Sequence, residues 1–253
     1  MTRDIWVFDV TRRTGKRLTF DPADDTNPTW SPDGTWIAFT SNRGGAREIY
    51  RKLANGSGED ELLLPSKNGP VHVEGWSPDG KLLLYNHWPG GKPSDLFVLP
   101  LSSGNVQKPI AFLATGFMEH MGQFAPNGQW IAYHSLGPGR DGVYVKGVSA
   151  EGRTGSGEWQ VSTASGLEPR WRGDGRELFY VAGTTLMAVD VKTDGPSFDA
   201  GVPRPLFEMS LPPEPRRNRL VVTRDGQRFL VNTPVEQTSE PIDVLVNWLP
   251  AKR

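Results

Sequence analysis

Short apolar runs recur along the chain in register with a glycine three residues upstream: Ile37-Ala38-Phe39, Leu83-Leu84-Tyr85, Ile131-Ala132-Tyr133, Leu178-Phe179-Tyr180 and Phe229-Leu230-Val231. A strand solvated on one face alternates apolar and polar with period two, whereas three consecutive apolar positions imply cover on both faces. The segments before these runs are related too. Trp30-Ser-Pro-Asp-Gly34, Trp76-Ser-Pro-Asp-Gly80, Phe124-Ala-Pro-Asn-Gly128, Trp171-Arg-Gly-Asp-Gly175 and Val222-Thr-Arg-Asp-Gly226 follow one another at spacings of 46, 48, 47 and 51 residues. Asp/Asn-Gly after a proline suits a tight hairpin turn, because Pro presets φ and Gly accepts a positive one. Each copy therefore predicts a strand, a turn and a second strand.

A third strand aligns in six copies: Asp4–Val10, Glu48–Ala54, Asp95–Leu101, Gly142–Val148, Thr185–Val191 and Asp243–Leu249. Weaker outer strands are expected at Lys16–Phe20, Glu61–Leu64, Ile110–Ala114, Trp159–Ser162 and Pro205–Met209. A unit of four strands repeated about every 47 residues, with both faces of each sheet covered, predicts an all-β propeller of four-stranded antiparallel blades. Five inner hairpins plus a partial N-terminal blade give five to six blades in one domain over residues 1–253. Either the N-terminal outer strand completes the last blade of a five-bladed ring, or the chain is the C-terminal portion of a longer propeller; the missing half blade upstream favours the second.

The stretch Trp30 to Tyr50, "WSPDGTWIAFTSNRGGAREIY", resembles the repeats of the TolB-like propeller family, also called WD40-like or PD40 repeats. Their pattern is W-S-P-D-G-x-x-I-A-F, then an S-[DN]-R-G-G loop and an I-Y strand. The likeness runs through five copies and decays along the chain, since Trp171 lacks the proline and Val222 lacks both Trp and Pro. It implies a propeller and leaves function open among TolB itself, sensor repeats of receptor-like Ser/Thr kinases and gating domains of prolyl-oligopeptidase-type peptidases.

Composition narrows the chemistry. A formal net charge of -1 offers no basic field for nucleic acid, and no apolar stretch approaches a membrane span. The N-terminus carries no signal-peptide pattern, which leaves the compartment unassigned. Cysteine is absent, so thiolate metal sites and Cys nucleophiles are excluded. Gly-x-Ser-x-Gly and kinase catalytic motifs do not occur. The four histidines show no metal-ligand spacing, and no cofactor is expected.

What remains is a set of polar and aromatic residues expected at one mouth of the central channel, near the loops after the second strands and the entrances to the inner strands. His72 with Glu74 and Glu119 with His120 mark two neighbouring entrances; His87 and His134 lie near second-strand ends. Arg43 belongs to the one full S-N-R-G-G loop, and Pro215–Arg219 is a local basic cluster. Trp30, Trp76 and Trp171 share one repeat position and are expected to be buried between blades. Trp88 is unique to its loop and is expected to be exposed, as a hot spot for a protein or peptide partner. The first expectation for function is a non-catalytic binding propeller. The alternatives are a metal-assisted propeller hydrolase and a peptidase's gating propeller without its catalytic domain.

Overall fold

A computed structural model describes residues 2–102, 105–195, 197–211 and 219–234. Every regular element among them is a strand. An N-terminal pair, β1 (Trp6–Asp9) and β2 (Thr14–Arg17), precedes the first blade of β3 (Asp25–Trp30), β4 (Trp36–Ser41), β5 (Glu48–Leu53) and β6 (Glu61–Leu64). The second blade holds β7 (Val71–Trp76), β8 (Leu82–His87), β9 (Asp95–Ser102), the short β10 (Asn105–Val106) and β11 (Ile110–Leu113). The third runs through β12 (Met118–Phe124), β13 (Trp130–Gly137), β14 (Arg140–Val148) and β15 (Thr154–Gln160). The fourth comprises β16 (Leu167–Trp171), β17 (Glu177–Ala182), β18 (Thr185–Lys192), β19 (Asp199–Ala200) and β20 (Arg204–Glu208), and a last hairpin pairs β21 (Leu220–Val222) with β22 (Phe229–Val231). Pairing within each blade is antiparallel and follows the chain, as expected of a propeller.

The five expected hairpins are present. In the first, Ser31 N–H donates to Trp36 O and Gly34 N–H to Ser31 O, with Gly34 at φ +71°. Its four equivalents repeat this at φ +71 or +72°, a conformation glycine adopts without a Cβ penalty. Adjacent turns also touch: a Cβ on Gly80 would lie 3.8 Å from Pro32, and one on Gly128 3.7 Å from Pro78. The fourth turn lacks its proline for a visible reason. Gly173 occupies that place and its N–H donates to Arg224 O of the next turn at 2.9 Å. A proline has no N–H to give, and any Cβ at Gly173 would strike the Arg224 side chain and backbone.

Apolar clusters lie between successive blades, as in the group of Leu84, Leu96 and Val98 from the second blade with Phe124, Ile131 and Tyr133 from the third. Ile37, Leu83, Ile131 and Leu178 are buried at equivalent positions, while Phe229 is only half-buried. The Trp positions depart from expectation. Trp171 is 4% exposed and Trp76 half-buried, but Trp30 is 51% exposed. Hydrogen bonding explains the difference. The Trp76 indole N–H donates to Thr29 O at 3.3 Å and that of Trp171 to Gln123 O at 3.2 Å, each reaching the inner strand of the preceding blade. The pair β1–β2 that precedes Trp30 has third- and outer-strand character, so among the described residues no inner strand lies there to receive its indole.

Two outer strands begin earlier than expected, at Thr14 and Thr154, because the pairing register rather than the apolar pattern sets an outer edge. The sixth third-strand copy, Asp243–Leu249, and residues 215–218 of the basic cluster lie outside the described residues.

Candidate functional site

The inner strands of the first four blades each carry a bulge. Asn27, Met121 and Glu168 each stand three residues before the apolar residue that opens a turn, and each takes a positive φ of 52 to 55°. Such backbone is uncommon outside glycine and persists where surroundings fix it. Side-chain contacts to the next or preceding strand pair accompany it here. Glu74 Oε1 accepts the Met121 N–H at 3.1 Å, and Glu168 Oε2 accepts the Arg219 N–H at 2.9 Å. Glu74 therefore sits in the β7 bulge as a brace between the second and third blades. Nearby, burial pushes the Arg170 guanidinium down, opposed by the charges of Glu168 and Glu74.

The β12–β13 pairing sets His120 opposite His134 and Glu119 opposite Ser135. Cross-strand partners share a face, so the two pairs project to opposite sides of the third blade. On the first side His120 Nε2 lies 2.7 Å from His134 Nδ1, and His134 Nε2 lies 3.1 Å from Asp141 Oδ1. Asp141 accepts, so His134 Nε2 carries the proton; burial at 2% exposure holds the imidazole neutral by pushing its pKa down against the pull of Asp141. Its Nδ1 must then accept from His120 Nε2–H. The Trp88 indole meets the His120 ring edge-on at 6.3 Å, which joins the loop of the second blade to the inner strand of the third.

On the other side Glu119 is 1% exposed. Thr115 Oγ1 donates to its Oε1 at 2.5 Å, and Oε2 is a buried atom with no partner among the described residues. Burial pushes this carboxyl up to about 7; the Thr115 bond opposes the rise and the Asp95 charge adds to it.

Of the expected site residues, Trp88, His120 and His134 come together. Trp88 is half-buried rather than freely exposed: its ring packs on His120, and its backbone N–H donates to Pro70 O, which ties the loop down. His87 packs against Phe97, and His72 faces Asn27. The Arg43 guanidinium bonds Asp25, Asp60 and Ser41 within the first blade and lies 4.5 Å over the Tyr50 ring. Asp141 was not singled out; it stands one residue before Gly142, which holds the place of Glu48 and Asp95 in the earlier third strands. No group of three or more His, Asp or Glu residues among those described is placed to hold a metal ion. No helix among them is long and apolar enough to cross a membrane.

The model of the TolB beta propeller domain matches residues 2–171. The chain belongs to this family. Among relatives of the TolB-like chain, the Tol-Pal system protein TolB of Bordetella pertussis is 34% identical over 158 residues, 62% of this chain and 33% of that protein. The uncharacterized peptidase YuxL of Bacillus subtilis is 36% identical over 84 residues, 33% of this chain and 12% of that one. The chain thus spans about a third or less of the length of these relatives. In structure it resembles TolB of Acinetobacter baumannii, with a TM-score of 0.57 at 19% identity over 81% of this chain and 49% of that one. It also resembles the periplasmic gluconolactonase PpgL of Pseudomonas aeruginosa, with a TM-score of 0.60 at 16% identity over 89% and 70%. At such identities the likeness is one of fold.

Proposed function

We propose that this TolB-like propeller is a non-catalytic binding module whose protein or peptide partner docks over the channel mouth carrying Trp88, His120 and His134. The observation that supports this reading most is the chain from Asp141 through His134 to His120, which ends against the one aromatic residue peculiar to its loop. A ring of fixed tautomer beside an indole gives a partner one apolar and one polar anchor, the combination that concentrates binding energy in protein interfaces. A displayed peptide library selected on the chain tests it. Selected peptides should bind Trp88→Ala about 30-fold more weakly, the equivalent of roughly 2 kcal/mol. Equal affinity for the wild type and the variant would remove the reading.

A second reading rests on the same three residues. An Asp–His–His chain can hold an imidazole ready as a general base, so hydrolysis belongs among the alternatives, as does the propeller of a peptidase, a reading in line with the match to the uncharacterized peptidase YuxL. Activity on esters or lactones that disappears in His120→Ala would favour catalysis.

A further inference from the structure

The face of the molecule that carries the hairpin turns has a cleft of about 500 Å³ between the first and second blades, walled by Trp36, Arg51, Trp76 and Leu101 and rimmed by Asp33 and Asp79. Its counterpart between the third and fourth blades is filled by the chain itself. Trp130 holds the place of Trp36 two residues after the turn glycine, and Trp171 the place of Trp76. Between them Phe198 packs 5.6 Å from Trp130, 5.9 Å from Trp159 and 6.3 Å from Trp171. Thr193 O accepts both the Trp130 indole N–H and the Asn127 side-chain N–H at 3.1 Å. Phe198 and Thr193 reach there from the loop between Lys192 and Asp199, a pair in register with six residues between them. In the second blade the corresponding hairpin pairs Ser102 with Asn105, with two residues between them, neither aromatic.

The first cleft therefore keeps two indole walls of the filled one, has Arg51 paired with Glu61 where the other has Val145 beside Trp159, and has a shorter covering loop. Trp36 keeps its indole, which donates to no described residue, and Arg51 lies 4.2 Å over its ring while pairing with Glu61 at 2.7 Å. The rim differs in charge. Asp33 replaces Asn127, so a carboxylate stands where an amide donated. A hydrogen bond from Ser31 and another from the Thr35 N–H hold Asp33 below the usual carboxylate range, hence ionised. Asp79 is likewise held low: burial acts against it, and the Ser77 hydroxyl and the Lys81 N–H outweigh that effect. Arg51 and Glu61 offset each other and Lys81 lies 3.5 Å from Asp79, which leaves Asp33 as the rim carboxylate with no salt bridge among the described residues.

We propose that this cleft is a second binding site, for an extended peptide that inserts an aromatic side chain between Trp36 and Trp76, presents a carbonyl to the Trp36 indole and carries a basic residue toward Asp33 and Asp79. The chain's own residues 193–198 are the template for the ring and the carbonyl. The change from Asn127 to Asp33 sets the charge. An aromatic anchor among aromatic walls with a cation at an acidic rim uses contacts that are individually modest and jointly selective.

The experiment follows the indole N–H signals of the 15N-labelled full chain during titration with acetyl-Thr-Lys-Gly-Pro-Ser-Phe-amide. Signals of Trp36 and Trp76 should shift and saturate below about 10 mM, the weak range suited to a six-residue probe. The same peptide with Asp for Lys should bind about three- to tenfold more weakly, and replacing its Phe by Ala should abolish the shifts. Trp36→Ala should abolish saturation. Trp36→Phe, which keeps a ring but no N–H, should weaken binding severalfold and serves if the alanine variant fails to fold. No saturation up to about 10 mM, shifts that persist in both Trp36 variants, or equal affinity for the Lys and Asp peptides would each overturn the proposal.

Discussion

The first and third blades solve the same structural problem with different side chains. In the first, Arg43 sits two residues after Ser41 and bonds its hydroxyl, both oxygens of Asp25 at 3.2 Å and Asp60 at 2.6 Å, while Lys52 bonds the other oxygen of Asp60. In the third, Arg140 comes from five residues after Ser135 yet reaches the same place, bonding that hydroxyl and Glu158 and lying 3.7 Å over the Tyr144 ring. Tyr144 and Glu158 answer to Tyr50 and Asp60. The carboxylates answering to each other at the head of the inner strand, Asp25 and Glu119, fare differently. Asp25 is held by the arginine; Glu119, one methylene longer, turns to Thr115 and leaves an oxygen unpaired. One fold position is thus a closed clamp in one blade and an unsatisfied acid in another, next in sequence to His120 and on the opposite side of the blade from the histidine chain that the proposed function uses.

Removing the arginine should separate the two blades most sharply. Arg43→Ala leaves Asp25 buried without its cation and Asp60 with Lys52 alone, and should cost about 3–5 kcal/mol in urea unfolding. Arg140→Ala should cost about 1–2 kcal/mol, because Glu158 is 30% exposed and can be hydrated. Equal losses would break the comparison.

Glu119 gives the next largest effect. Its folded carboxyl titrates near 7, above its ordinary value of 4.5, so the folded state binds more protons than the unfolded one between those values. Stability should therefore be full below about pH 4.5 for this group and fall as pH rises toward 7. Glu119→Gln should match the wild type at pH 5 and exceed it at pH 8 by up to about 3 kcal/mol. In the first blade Asp25→Asn should not stabilise at pH 8, since its arginine would lose a partner.

A smaller effect tests whether blades can exchange turn residues. Gly173→Pro restores the proline of the first three turns, yet it should destabilise by about 2 kcal/mol, because the N–H that holds the neighbouring turn is lost. Trp30→Ala should cost less than about 1 kcal/mol, against about 3–5 kcal/mol for Trp171→Ala at the equivalent position. Thermal or urea unfolding of each variant measures these differences.

The repeated turns and the strands beside them were legible because local chemistry fixes them: a glycine at positive φ and a doubly covered strand leave marks in adjacent residues. Trp30 was misread as buried because its burial depends on the blade before it, which no property of Trp30 encodes. The match of Arg140 to Arg43 was hidden by loops of different length after Ser41 and Ser135. The meeting of Trp88, His120 and His134 was half legible. Their place near one mouth followed from register, but Asp141, which sets the tautomers, was seen only once β13 and β14 were paired. Glu74 and Arg43, candidate ligand contacts in the sequence, already bond partners within the chain, which sequence does not reveal because it shows a charge without what the charge bonds.

The central claim, that a partner docks at the mouth around Trp88, is tested most directly by watching the indole signals of the nine tryptophans as a library-selected peptide is added. The account predicts that Trp88 shifts and saturates while Trp130 and Trp171, sealed between blades, stay still. A saturable shift elsewhere with Trp88 unmoved would contradict it.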